Sequence, residues 1–337
     1  MTLTETAKIT KRVSLACLIL AILSLTGWIG YKIYYNNYYL PSLPKIEEQP
    51  ELKWGVLPKP SFIQNSISSS NYSYSLDTET GDLPSDFPKL LKVYFIPQLG
   101  TTLLASDKSK SLAKSFNFIN GPDLTSPTLY KYTDVNNNNF EVDLNTGNFK
   151  FQRIVATDSA RIQNPNFKTT EDIAANFKSF LADRGLLTDS LRNGKNKTTY
   201  ESLPSGEQTA TVSLWQENID DLPIETAQYN SGIVKAILND SQDVLNRYLS
   251  LEYFYWGIDK QTSSTYPLKT IGSAFNELKS GGGVVLVEPK TPKVSVAKAY
   301  LAYYLPLEYT PYLQPIYVFE GENFVGYVAA IKDEYLK

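Results

Sequence analysis

Histidine is absent from all 337 residues, and cysteine occurs once, as Cys17. Without histidine there is no Ser-His-Asp or Cys-His catalysis, no His-ligated zinc and no phosphohistidine relay, so the chain is not itself a histidine kinase of the usual kind. One cysteine cannot form an intrachain disulfide. An exported body must then be held by its core, which fits a bacterial envelope protein better than a disulfide-stapled secreted one. An excess of positive charge is missing too. The 32 Lys and Arg against 35 Asp and Glu leave a net charge of −3, with no basic footprint for nucleic acid.

What is present begins with an apolar run. Residues 13–31 read VSLACLILAILSLTGWIGY, with no charge. As a helix this run is roughly 28 Å long, close to the hydrocarbon thickness of a bilayer. Lys8, Lys11 and Arg12 precede it and Lys32 follows closely. That asymmetry places residues 1–12 in the cytoplasm and exports the rest. Trp28, Tyr31, Tyr34, Tyr35, Tyr38 and Tyr39 gather at the outer end, where amphipathic rings favour the headgroup zone. They stand where a signal peptidase would need small residues, which argues for an uncleaved transmembrane helix over 13–35. Cys17 lies inside the run, with no apolar stretch before it, and reads as a small packing residue rather than a lipoprotein cysteine.

Residues 36–85 are rich in Pro, Ser, Asn and Tyr and read as a stalk, although the segment from Trp54 to Phe62 has the apolar content to dock on a folded part. Beyond it a helix followed by several strands occurs more than once. The periodicity predicts helices over Asp107 to Phe118 and Glu171 to Arg184, and a third starting at Pro267 as its first residue. Period-2 alternation predicts strands at 128–133, 140–144, 148–156, 198–201, 209–217, 224–229, 233–239, 248–258, 284–288, 293–304, 313–320 and 325–332. Asn145-Thr146-Gly147 and Asn230-Ser231-Gly232 read as hairpin turns. The fold class is α+β: one N-terminal transmembrane helix, then repeated helix-plus-antiparallel-meander units. The boundaries fall at 86–160 for a first unit and 165–337 for a second region, its C-terminal module starting near 260.

Motifs for chemistry are weak. Ser111 and Lys114 have the S-x-x-K spacing of penicillin-recognising serine enzymes, but the companion S-D-N and K-T-G elements are missing, and a solvated helix face is the better reading. Asp134 opens a run that begins like a calcium loop. Asn139 stands where such a loop needs Gly and Asn145 where it needs Glu, so a tight turn is expected. Glu217, Asp220 and Asp221 could pair as carboxylates, yet Leu222-Pro223 follows at once and marks a turn. No catalytic, cofactor-binding or metal-binding residue is assigned.

Tyrosine is the abundant chemistry, with 24 copies crowding toward the C-terminal half. Tyr has high β propensity, so strand content explains much of it. Half of such rings should nonetheless face outward, and Tyr and Trp suit interfaces. Tyr253, Tyr255, Trp256, Tyr303, Tyr312 and Tyr317 form the candidate interaction surface.

Tyr266-Pro267-Leu268-Lys269-Thr270, the helix through Phe275 and Leu278, the strand from Lys293 to Tyr304, and Tyr312-Leu313-Gln314-Pro315-Ile316-Tyr317-Val318-Phe319-Glu320-Gly321 leading into Phe324 to Ile331 look like one module. Over residues 260–332 it resembles the extracytoplasmic YycH/YycI-type regulatory proteins and, more distantly, PepSY-like modules. The resemblance implies a non-enzymatic, single-pass membrane protein without a cofactor. Its implied partner is a membrane protein, a sensor histidine kinase controlling wall metabolism, and the membrane helix itself touches it. A cell-wall glycan or peptide is the alternative ligand, and a cell-wall enzyme using Ser111 and Lys114 or carboxylates such as Glu217 and Asp220 the alternative activity.

Overall fold

A computed structural model describes residues 3–40, 48–63, 67–98, 100–153, 169–202 and 208–337, with side chains from Ser14 on. The chain divides into two compact units, residues 1–49 and 50–337.

The first unit is helix α1, Leu3–Tyr34, extended by one π-helical turn, Tyr35–Tyr39. Its stretch Ser14–Tyr39 is long and apolar enough to cross a membrane, and every side chain in it is exposed. A helix apolar on all sides, with its described side chains exposed, is suited to lipid. Its hydroxyls are satisfied internally: Ser24 Oγ donates to Ala21 O at 2.9 Å and Thr26 Oγ1 to Ile22 O at 3.0 Å. Tyr31, Tyr35 and Tyr39 stack in a ladder at 5.8 and 5.2 Å, one turn apart on one face.

The second unit holds two eight-stranded sheets. In chain order come β1 (Ser73–Leu76), β2 (Leu90–Phe95), α2 (Ala105–Ser115), β3 (Asn120–Leu124), β4 (Leu129–Thr133), β5 (Asn139–Asp143) and β6 (Phe149–Gln152). Then follow α3 (Thr170–Ala182), α4 (Asp189–Asn193), β7 (Asn196–Ser202), β8 (Gln208–Leu214), β9 (Ile224–Thr226), β10 (Val234–Leu238), β11 (Tyr248–Tyr253) and β12 (Asp259–Pro267). The last are α5 (Ile271–Lys279), β13 (Val284–Val287), β14 (Lys293–Leu305), β15 (Tyr312–Gly321) and β16 (Phe324–Ala329).

The repeat read from the sequence is present three times, as α2 with β3–β6, α3 and α4 with β7, β8, β10 and β11, and α5 with β13–β16. The first two fuse edge to edge. β6 pairs antiparallel with β11 in the register Phe149↔Tyr253 and Phe151↔Leu251, giving the order β3-β4-β5-β6-β11-β10-β8-β7. The expected boundary between 160 and 165 therefore divides no sheet, and residues 154–168, including the end of the strand expected over 148–156, lie outside the described residues. The third repeat builds the other sheet, β1-β14-β15-β16-β13, which β2, β9 and β12 extend.

Local chemistry explains the helices. Thr169 Oγ1 accepts from Asp172 N, Thr188 Oγ1 from Leu191 N and Thr270 Oγ1 from Ser273 N, capping α3, α4 and α5. Gly185, at φ 68°, closes α3. The stripe Ile173, Phe177, Phe180 and Leu181 is buried on the first sheet, and Ile271, Phe275 and Leu278 on the second. The hub of the larger core is Phe116, whose ring stands 5.3–5.7 Å from Phe140, Phe149, Phe151 and Phe180. Arg153 and Arg184 lie over rings of this cluster and donate to carbonyls of neighbouring segments, Arg153 Nη2 to Phe116 O at 2.7 Å and Arg184 Nη2 to Ser115 O at 3.3 Å.

Three expectations are corrected. Pro267 does not begin a helix. It ends β12, where a missing N–H costs no ladder bond, and α5 starts four residues later behind Thr270. Asn230-Ser231-Gly232 is not a hairpin turn, because β9 lies parallel to β14 while β10 lies between β8 and β11, so this segment crosses from one sheet to the other. The stretch 36–85 is no free stalk from Pro50 on. β1 pairs parallel with β14, Leu57 is fully buried, and Phe62 packs its edge on Tyr304 at 4.9 Å. Leu57 and Lys59 also exchange backbone hydrogen bonds with Tyr335 and Lys337.

Candidate functional site

The residues marked in the sequence go to separate places. Ser111 and Lys114 are both exposed on α2, on an open helix face. Asp134 is buried in a tight turn. Its Oδ1 accepts from Asn136 N at 2.8 Å and Asn138 N at 2.9 Å as an Asx turn, its Oδ2 accepts from the Asn138 side-chain amide at 2.9 Å, and Asn137 takes the left-handed conformation. The acidic trio splits. Glu217 is paired with Lys260, whose ammonium holds the carboxyl below the usual carboxylate range. Asp220 turns the other way, to Tyr94 and Tyr303. Among the described residues no group of three or more His, Cys, Asp or Glu is placed to hold a metal ion.

The candidate interaction surface is largely core. Tyr253, Trp256, Tyr303 and Tyr317 are buried. Tyr253 stacks on Phe149 at 5.2 Å and donates its hydroxyl to Leu186 O. Trp256 Nε1 donates to Pro306 O at 3.2 Å, and Tyr317 donates to Lys269 O at 2.9 Å. Burial pushes the Tyr317 hydroxyl up to about 12. Tyr255 and Tyr312 are half-buried, Tyr312 against the ring of Trp54. The physical reason is that β14 and β15, which carry Tyr303 and Tyr317, are buried on both faces, while Tyr253 lies on the buried face of β11, so alternation alone exposes few rings.

A different set of residues converges on a cleft of about 880 Å³ beside β9 and β14. One wall is the turn before β9. Asp220 and Asp221 sit at φ 49° and 62°, left-handed positions that aspartate tolerates, and this geometry turns Asp220 to the sheet. Tyr94 donates to Asp220 Oδ2 at 2.7 Å; Tyr303 donates to Lys92 O at 2.9 Å, with the same Asp220 oxygen 3.3 Å away. Lys92 Nζ lies 3.8 Å from Asp220 Oδ1. Burial, then the neighbouring carboxylate, pushes both phenols upward, so they remain protonated donors.

The other wall follows from sheet register. β9 pairs Glu225 with Tyr304, β15 pairs Glu320 with Lys298 and Val318 with Tyr300, and β16 pairs Tyr327 with Val318. Because side chains alternate, Glu225, Lys298, Tyr300, Glu320 and Tyr327 share one face. Tyr300 donates to Glu225 Oε1 at 3.2 Å, and Tyr229 donates to Glu320 Oε1 at 2.7 Å. Burial is the largest influence on Glu225 and raises its carboxyl above the usual range. Glu225 and Glu320 went unmarked in the sequence reading. The available signal was an acid flanked by the β-branched Ile224 and Thr226, and another ending the strand Ile316 to Phe319.

No family model matches the chain, and no curated protein matches it. Among solved structures the chain is similar to the Bacillus megaterium YpeB C-terminal domain, at 11% identity over 70% of this chain and 95% of that one. The TM-score is 0.30.

Proposed function

We propose that this protein is a membrane-anchored binding and regulatory protein, its body outside the cytoplasm, acting through contacts rather than chemistry. One observation carries the reading: a helix apolar on every side and long enough to span a bilayer is joined in the same chain to a two-sheet body. The charge asymmetry around that helix, with Lys8, Lys11 and Arg12 before it, supports an exported body. The cleft supports binding, since Asp220, Glu320 and Glu225 are each tied by a tyrosine hydroxyl. The finer reading, an accessory regulator of a membrane sensor kinase, rests on the resemblance of residues 260–332 to YycH/YycI-type proteins.

In-cell photocrosslinking from Tyr38 and from Tyr312, followed by mass spectrometry, tests it. The expected product is an integral membrane kinase joined to both positions. Crosslinks to wall glycan alone, or turnover of a wall substrate by the purified chain, would overturn it.

A further inference from the structure

We infer that a second cleft, of about 410 Å³ between the β5–β6 turn and the loop joining β14 to β15, is a binding site for a neutral saccharide. This goes beyond the regulatory reading above and does not rest on it.

One part of the lining is aromatic. Phe254, just after β11, is half-buried and packs against none of the hydrophobic clusters of the body. Tyr309 is half-buried too, its ring 5.6 Å from that of the buried Trp256. The polar tips of these two are consumed within the chain: Tyr309 donates its hydroxyl to Ile96 O at 2.9 Å, and Trp256 Nε1 is taken by Pro306 O. What they leave for the cleft is carbon. The turn 143–148 supplies the polar part, and its hydrogen bonds fix which end of each amide is spare. Asn148 is only 6% exposed, and its Oδ1 accepts from Tyr255 N at 2.9 Å. The N–H2 end is therefore the one left over, and it meets no acceptor among the described residues. Asn145 is set the same way, its Oδ1 accepting from the Thr101 hydroxyl and its Nδ2 remaining. Thr146 Oγ1 accepts from Asn148 N at 3.1 Å and still has its proton to give. Asp143 spends Oδ1 on Asn145 N at 2.8 Å and keeps Oδ2 as an acceptor.

A donor as deep as the Asn148 amide costs on folding unless something meets it. The pattern around it sets the guest. Spare donors and a spare acceptor follow one another along a single turn, and the same cleft has an aromatic lining. A sugar ring is divided in this way: the hydroxyls at its rim both donate and accept, and its C–H face is apolar. An anion is disfavoured, because Glu141, Asp143 and Glu308 line the cleft against one lysine, Lys150, which already lies 3.3 Å from Glu141. A peptide added as a strand has no edge to pair with here, since β6 is flanked by β5 and β11.

Calorimetric titration of the full-length chain in nanodiscs tests this with chitotriose and maltotriose, two neutral trisaccharides. Trigalacturonate, of the same length but anionic, is the charge control, and hexaproline stands for a peptide. Saturable binding of at least one neutral trisaccharide is expected, at least tenfold tighter than either control. Phe254→Ala should weaken it at least tenfold with the melting temperature unchanged, since that ring serves no core. Asn148→Asp keeps the oxygen that Tyr255 N needs and loses the N–H2 end, and it should weaken binding likewise. No binding by either neutral trisaccharide, equal or tighter binding of trigalacturonate or hexaproline, or full-strength binding by either folded variant would overturn the assignment. A sugar held here is compatible with a kinase crosslinked from Tyr38 and Tyr312, and its absence leaves that test untouched, so the two failures are separable.

Discussion

Glu225 is the residue whose behaviour separates a structural role from a binding one. Burial holds its carboxyl above the ordinary range. The folded chain therefore retains a proton there that the unfolded chain has released, and stability falls as pH rises from the ordinary carboxylate range through the raised folded value. Glu225→Gln cannot ionise and keeps an acceptor for Tyr300. It should melt higher than the parent at neutral pH, and the gap should shrink as the pH is lowered into the ordinary carboxylate range; melts across a pH series read this directly. Phe116 shows the opposite balance. It is fully buried among four phenylalanines, and Phe116→Ala should cost about 3–5 kcal/mol, read from the urea midpoint at unchanged slope. Phe116 was visible in the sequence as an apolar residue of the helix predicted over Asp107 to Phe118. Glu225 was not, because its meaning depends on Tyr300, 75 positions away, and only strand register brings the two together.

At the scale of elements, the repeats were legible because each is local. A threonine cap, a four-residue apolar stripe and alternating strands all fall within some 40 residues of one another, so α3 and the β4–β6 meander match their periodicity closely. Pairings between distant segments were not legible. β9 is three residues long and joins β14 in parallel, far along the chain, and nothing local distinguishes it from the arm of a hairpin with β10. The segment that makes this crossing depends on Gly232. A Cβ there would stand 2.2 Å from the carbonyl oxygen of Leu214, on backbone that cannot yield without opening β8. Gly232→Ala should destabilise the body by about 1–3 kcal/mol. Protection of the β8 amides in hydrogen exchange should drop with it, whereas Gly257→Ala, with open space around its Cβ position, should leave both unchanged.

For the whole molecule, the first unit was the most legible part, since a span-length helix is set by composition and length alone. The Pro/Ser-rich stretch was the least. Its prolines exclude helix but not an extended strap, and from Pro50 it lies along the second sheet, with Phe62 sealing Tyr304 and residues 57–59 clasping residues 335–337. The central claim is that the helix is an anchor and the body lies outside the cytoplasm. Cys17, the sole cysteine, sits within the candidate span, so the body carries no native thiol to confuse labelling. Lys290 is exposed between β13 and β14. Lys290→Cys should react with a membrane-impermeant maleimide in intact cells, as fast as after permeabilisation, and the labelled chain should stay with the membrane under alkaline extraction. Labelling that appears only after permeabilisation, or a labelled body released from the membrane as a shortened chain, would contradict the account.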